Sequence, residues 1–179
     1  FKWDIENCIK FMNEQTNNTP ILHNKVIFKG LHNNDERRAL FLAAQKEDFF
    51  EFSNEVIPFL DFAKYKYILD MHGGGDGCHR GRAYWLFHMN RVLFLPTDDV
   101  ATQWFEELDN PPEPWVHYVP YSEKEIIKSQ NIDTIKSAFN KLENDPELYE
   151  TIRQNCIDYA NKYLNNTAVE EFVIKRLTN

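Results

Sequence analysis

KYKYILDMHGGGDGCHRGRAYWLFHMNRVLFLP, residues 64–96, decides how this chain is read. It opens on a β-type run, KYKYILDM (64–71), in which apolar and aromatic residues dominate. Gly73, Gly74, Gly75 and Gly77 come next, four of the six glycines in the chain. RGRAYWLFHMN (80–90) has the composition of a helix, and RVLFLP (91–96) is a second apolar β-type run. Strand, glycine turn, helix, strand is the pattern of two parallel strands joined by a helical crossover.

The same alternation extends in both directions. Upstream, KVIFK (25–29) reads as a strand that ends at Gly30, and NDERRALFLAAQ (34–45) as a helix capped by Asn34. Residues 3–14 form an amphipathic pattern with Ile5, Ile9 and Met12 on one side, and TNNTP (16–20) breaks it. Downstream, ATQWFEEL (101–108) reads as a helix, DNPPEP (109–114) as a loop and WVHYVPY (115–121) as a fourth strand. From about 122 to 179 the pattern is helical. Ser122 opens a capping box with Glu125, and Asp145-Pro146 pairs an N-cap with a proline at the first helical position. Leu148, Ile152, Cys156, Tyr159 and Tyr163 recur at helical spacing, and Thr167 with Glu170 suggests a further capping box. The expected fold is α/β: a mostly parallel sheet flanked by helices on both faces, within one domain over 1–179.

Composition narrows the function classes. The chain is 42% hydrophobic and 15% aromatic, enough for a substantial core. Its formal net charge of −8 argues against broad nucleic-acid binding. No apolar run reaches the length of a membrane span. The chain opens on Phe1 rather than Met, as expected of a piece of a longer protein. Cys8, Cys78 and Cys156 are too widely spaced for a disulfide framework or a CxxC metal pair, and are expected as free thiols. Asn17 and Asn165 begin N-x-T sequons, a short pattern common by chance in an Asn-rich chain.

Two strand-to-helix turns carry similar chemistry. In parallel sheets such turns lie at the carboxyl ends of the strands, where ligands bind. Gly30, and the loop Gly73, Gly74, Gly75, Asp76, Gly77, Cys78 and His79, would let the backbone approach a ligand closely. Helix starts favour anions, and arginine offers a fork that matches phosphate oxygens. Arg37 and Arg82 each fall on the first turn of a predicted helix, with Arg80 close by. The loop is neither a Walker A nor a GxGxxG motif, so spacing alone fits a phosphate cradle and a ligand-free flexible loop equally well. A second reading is a metal-dependent hydrolase, because Asp70, His72, Asp76, Cys78 and His79 fall within ten residues and are all metal-ligand types. Against it, HExxH and paired CxxC are missing, and four glycines do not hold ligands rigidly by themselves. Trp85, Phe87, Met89, Trp104 and Trp115 are expected in packing, His117 as a satisfied histidine, and Asp98-Asp99 as a cap.

Five pieces in order resemble the C-terminal half of glycosyltransferase family 90, which contains protein O-glucosyltransferases and capsule-associated xylosyltransferases. They are KWDIE (2–6), VIFKGLHNNDERRAL (26–40), AKYKYILDMHG (63–73), HRGRAYWLF (79–87) and QWFEELDNPPEPWVHYVPYSE (103–123). The resemblance implies a GT-B enzyme whose Rossmann-like C-terminal domain holds UDP-glucose or UDP-xylose, and whose transfer inverts the anomeric centre without a metal. It implies that Arg37 and Arg82 grip the UDP diphosphate and that the 73–79 loop lies against phosphates and sugar. It also places the catalytic base and most of the glycan or glycoprotein acceptor site in an N-terminal half outside this chain. Without that half, the chain would be a nucleotide-binding module and not a complete enzyme. By resemblance the location is the secretory pathway, and for a microbial or viral member the cytoplasm. The chain departs from the family pattern at Lys29, where an arginine is usual, at Arg80, where a serine is usual, and at Leu31-His32-Asn33-Asn34, where a Ser/Thr turn is usual.

Overall fold

The computed structural model describes residues 5–30, 35–53, 58–71, 81–98 and 110–178. The element order over these residues is α1 (Ile5–Asn18), β1 (His23–Lys29), α2 (Asp35–Ala44), β2 (Phe50–Ser53), β3 (Tyr65–Leu69), α3 (Gly81–Leu86), β4 (Val92–Pro96), β5 (Val119–Tyr121), α4 (Glu123–Ser129), α5 (Asp133–Asn144), α6 (Pro146–Tyr163) and α7 (Asn166–Thr178). The five strands pair in the order β2-β1-β3-β4-β5, and every pairing is parallel. Among the described residues no helix is long and apolar enough to cross a membrane.

The strands run apolar because both of their faces are buried. Val26, Phe28, Leu69, Val92 and Phe94 pack toward one face, under Leu40 of α2, Ile126 of α4 and Phe139 of α5. Ile27, Ile68 and Leu93 pack toward the other, under Met12 of α1, Leu86 of α3 and Tyr159 of α6. Alternate residues of one strand thus feed two layers of helices, the period-2 geometry of a strand. Helix α6 serves both layers, with Tyr149 and Ile152 in the first and Cys156 and Ala160 in the second. The result is a three-layer α/β fold of Rossmann-like type.

Two expected caps form. Ser122 Oγ accepts from Glu125 N at 3.0 Å, and Asp145 Oδ1 accepts from Leu148 N at 3.0 Å ahead of Pro146. Asp98 also acts as a cap, but of α4: its carboxylate accepts from Ser122 Oγ and from Lys124 N. Other expectations are corrected. Helix α1 runs through TNN to Asn18. Helix α7 is capped by Asn165, whose Oδ1 accepts from Ala168 N at 3.0 Å, rather than by Thr167. The expected 80–90 helix is α-helical only to Leu86, then tightens to a 3₁₀ turn over Phe87–Met89 and stops at Asn90, which is left-handed with φ 52°. WVHYVPY is a strand only over its last three residues. Trp115 has φ 62° and lies in a turn over residues 115–117, in which His117 N donates to the Glu113 carbonyl at 2.9 Å, while Trp115 N donates to the Tyr118 carbonyl at 2.7 Å. Strand β2, FEFS, is an addition to the expected elements. The expected 101–108 helix, together with Trp104 and Asp99, lies outside the described residues.

Two buried side chains tie helix ends to the sheet. Arg91, 5% exposed at the start of β4, donates through Nε and Nη2 to the Ala63 carbonyl at 2.9 and 2.6 Å. It also donates to the carbonyls of Thr19 at 2.9 Å and Asn90 at 2.8 Å. A guanidinium thus collects carbonyls at the C-terminal ends of α1 and of the 3₁₀ turn 59–64, where the backbone carries partial negative charge. His88 is fully buried, and its Nε2 lies 3.2 Å from the Leu164 carbonyl that ends α6. The carbonyl can only accept, so His88 carries its proton on Nε2.

Burial pushes the His88 imidazole down to about 4, and the Leu164 hydrogen bond offsets this only in part. An unfolded histidine takes up a proton near pH 6.5, so between these values the unfolded state holds more protons. Stability from this site is therefore complete above about pH 6.5 and is lost as pH falls toward 4, by at most about 3 kcal/mol. Urea unfolding at stepwise lower pH should show a loss over this window that is shallower in His88→Gln. Equal slopes in the two proteins would refute the assignment.

Candidate functional site

Strand order 2-1-3-4-5 reverses direction between β1 and β3. In doubly wound sheets the crevice for a ligand opens at such a switch, outside the carboxyl ends of the two strands. Here those ends are Lys29-Gly30 and Leu69-Asp70, and the next helix after each carries Arg37 or Arg82.

Four side chains and one backbone carbonyl meet there. Asp70 continues β3 by one residue: its N–H donates to the Phe94 carbonyl at 2.9 Å, and it is 1% exposed. Arg82 Nε donates to Asp70 Oδ1 at 2.8 Å, and Nη1 donates to the Lys29 carbonyl at 3.1 Å. Nη2 lies 2.6 Å from the same Asp70 oxygen, a contact that is ionic, since its geometry is not that of a hydrogen bond. One side chain thus bridges the ends of β1 and β3. The Arg82 guanidinium lies 4.9 Å from the centre of the Phe28 ring, and that of Arg37 lies 5.4 Å from it. Two cations share one aromatic platform, an arrangement favoured by the ring quadrupole and opposed by their mutual repulsion.

The electrostatics result from this crowding. Burial lowers the pKa of Arg37, and the charge on Arg82 lowers it further, while Asp70 and Glu123 oppose both. Glu123, 3% exposed at the start of α4, lies 3.3 Å from the Tyr121 hydroxyl. That hydroxyl donates to the Asp70 carbonyl at 2.5 Å. The cluster therefore sets two guanidinium groups against two buried carboxylates. Among the described residues, Asp70 Oδ2 and Arg82 Nη2 are buried and make no hydrogen bond.

Gly30 also makes room within the site. Its backbone is not left-handed. A Cβ at this position would come within 3.3 Å of Phe28 Cζ and 3.7 Å of Arg82 Nη1. Glycine leaves room for the ring and the guanidinium that lies on it. Lys29 contributes its carbonyl, while its ammonium pairs with Glu51 of β2 at 3.4 Å, on the side of β1 away from β3.

The structure brings together Gly30, Arg37 and Arg82 of the expected site residues. His72, Gly73, Gly74, Gly75, Asp76, Gly77, Cys78, His79 and Arg80 lie outside the described residues. Phe28, Tyr121 and Glu123 join the site without having been expected there. Asp70, which the metal reading also counts among its ligands, pairs with Arg82. Among the described residues no three His, Cys, Asp or Glu side chains are grouped to hold a metal ion. Trp115 precedes β5, so it sits at the amino edge of the sheet, opposite the crevice, with Lys141 Nζ 4.1 Å from its ring centre. His117 is satisfied within its turn: Nδ1 accepts from Glu113 N at 2.9 Å.

Cys8 and Cys156 are free thiols, the second fully buried. Comparison of the chain with protein-family models and with curated proteins finds no match.

Proposed function

We propose that this chain is the donor-binding part of an inverting glycosyltransferase, with a UDP-sugar held by its diphosphate between β1 and β3. The observation that carries the proposal is the pair Arg37 and Arg82 over Phe28 at a topological switch point. Two partly buried guanidiniums repel one another, and an anion with oxygens on two phosphorus atoms relieves that repulsion. Arg82 Nη2, which lies 2.6 Å from Asp70 Oδ1 but makes no hydrogen bond among the described residues, would give its outer N–H to such an oxygen. The sugar and the inverting transfer rest on the family resemblance. In that transfer the acceptor oxygen bonds to the anomeric carbon as the bond to the β-phosphate oxygen breaks. The two arginines would take up the charge developing on the phosphate, and the acceptor proton goes to a base not assigned to any residue of this chain.

Calorimetric titration with UDP, with EDTA present throughout, tests the proposal. The expected result is saturable one-to-one binding that weakens about tenfold in Arg37→Ala, the loss of one charge-assisted contact. Absence of saturable binding would overturn it. Binding that needs a divalent ion restored would point to the metal reading instead.

A further inference from the structure

We propose that Asp70 is the positioning residue of this site, holding the Arg82 guanidinium edge-on so that its outer N–H groups face the crevice. The inference rests on the diphosphate reading above. It is not implied by that reading, because a carboxylate beside an anion site opposes binding by simple charge.

Three observations carry it. First, both Arg82 contacts with Asp70 fall on one oxygen, Oδ1, and involve Nε and Nη2, one edge of the fork. The Lys29 carbonyl takes Nη1 from another side. A free arginine loses rotamer entropy on being fixed, and here that loss is met before a ligand arrives. Second, Asp70 is itself held: its N–H is bonded to Phe94 and its carbonyl accepts from Tyr121, which reaches across from β5. Third, Oδ2 is buried and makes no hydrogen bond among the described residues. A carboxylate kept for stability alone would be expected with both oxygens satisfied, since half-paired buried charge is destabilising.

The test is UDP calorimetry on Asp70→Asn and Tyr121→Phe, reading dissociation constant and stoichiometry separately. Asparagine keeps the shape of the side chain and an acceptor oxygen but removes the charge. If Asp70 positions Arg82, the dissociation constant of Asp70→Asn rises about tenfold with stoichiometry unchanged, since one charge-assisted pair is lost. Tyr121→Phe keeps its ring in the core and is expected to shift the constant the same way, about threefold, the cost of one neutral hydrogen bond at second hand. Affinity that is unchanged or tighter in Asp70→Asn overturns the inference, because it would show only relief of charge repulsion. A fall in stoichiometry at constant affinity also overturns it, because misfolding alone produces that pattern. Should Asp70→Asn fail to fold, an unchanged constant in folded Tyr121→Phe decides against it. Wild-type protein that does not bind UDP removes the underlying reading and this inference with it. Wild-type binding that is lost in Arg37→Ala but insensitive to both variants removes this inference alone.

Discussion

Arg82→Ala is expected to weaken UDP binding about a hundredfold and to lower folding stability by roughly 3–5 kcal/mol. Both effects come from one geometry. For binding, the substitution removes a planar fork already aimed by Asp70 and Lys29. For stability, it strands the Asp70 carboxylate, 1% exposed, without its cation. Breaking a buried pair by removing one partner is far more damaging than replacing both. The Arg82 side chain is 26% exposed, so water offsets part of the loss and the lower end of the range is expected. The check is a double-mutant cycle with Asp70→Asn, read by urea unfolding and UDP titration. Adding Asp70→Asn to Arg82→Ala should restore part of the lost stability but none of the UDP affinity. If the two changes add without coupling, the side chains do not act as a pair.

Arg91→Ala is expected to cost a similar amount of stability, roughly 3–5 kcal/mol, without changing UDP affinity per folded molecule. Arg91 is held by main-chain carbonyls, those of Ala63, Thr19 and Asn90. Burial lowers its pKa, and the neighbouring Arg153 adds to this. Truncation leaves buried carbonyls without donors and opens a space beneath α1. Arg91→Lys should recover only part of the loss, because an ammonium cannot reach several carbonyls with the planar spread of a guanidinium. Urea unfolding paired with UDP titration separates this behaviour from that of Arg82→Ala. Equal losses of UDP affinity in the two variants would show that the crevice responds to global stability and not to local chemistry.

The interior of the sheet is legible in the sequence, and its borders are not. β1, β3 and β4 stand out because strands covered on both faces need unbroken apolar residues. β2 sits at an edge within QKEDFFEFSNE, where charged neighbours mask a four-residue run. β5 reads too long because aromatic and β-branched residues in WVHYVPY favour strands, whereas the left-handed backbone at Trp115 is set by tertiary packing and leaves no local signal. The N-caps at Ser122 and Asp145 are local chemistry and can be read directly. In α7, Asn165 outcompetes Thr167 because both are good caps only two positions apart. At the site, Arg37 and Arg82 are located by the simple rule that a helix start succeeds each strand end. Asp70 has a signal, an acid ending an otherwise apolar run, but it reads equally as a metal ligand. Tyr121 and Glu123 come from two strands away, and only the sheet order makes them neighbours of Asp70.

The ends of the sheet also bear on how copies of this chain meet. β2 has four residues and β5 only three, and the middle residue of β5 is Pro120, which has no N–H. A strand arriving from another molecule would find little backbone to pair with along either rim. Fibril-like growth by strand addition is thereby discouraged along the described rims of the sheet.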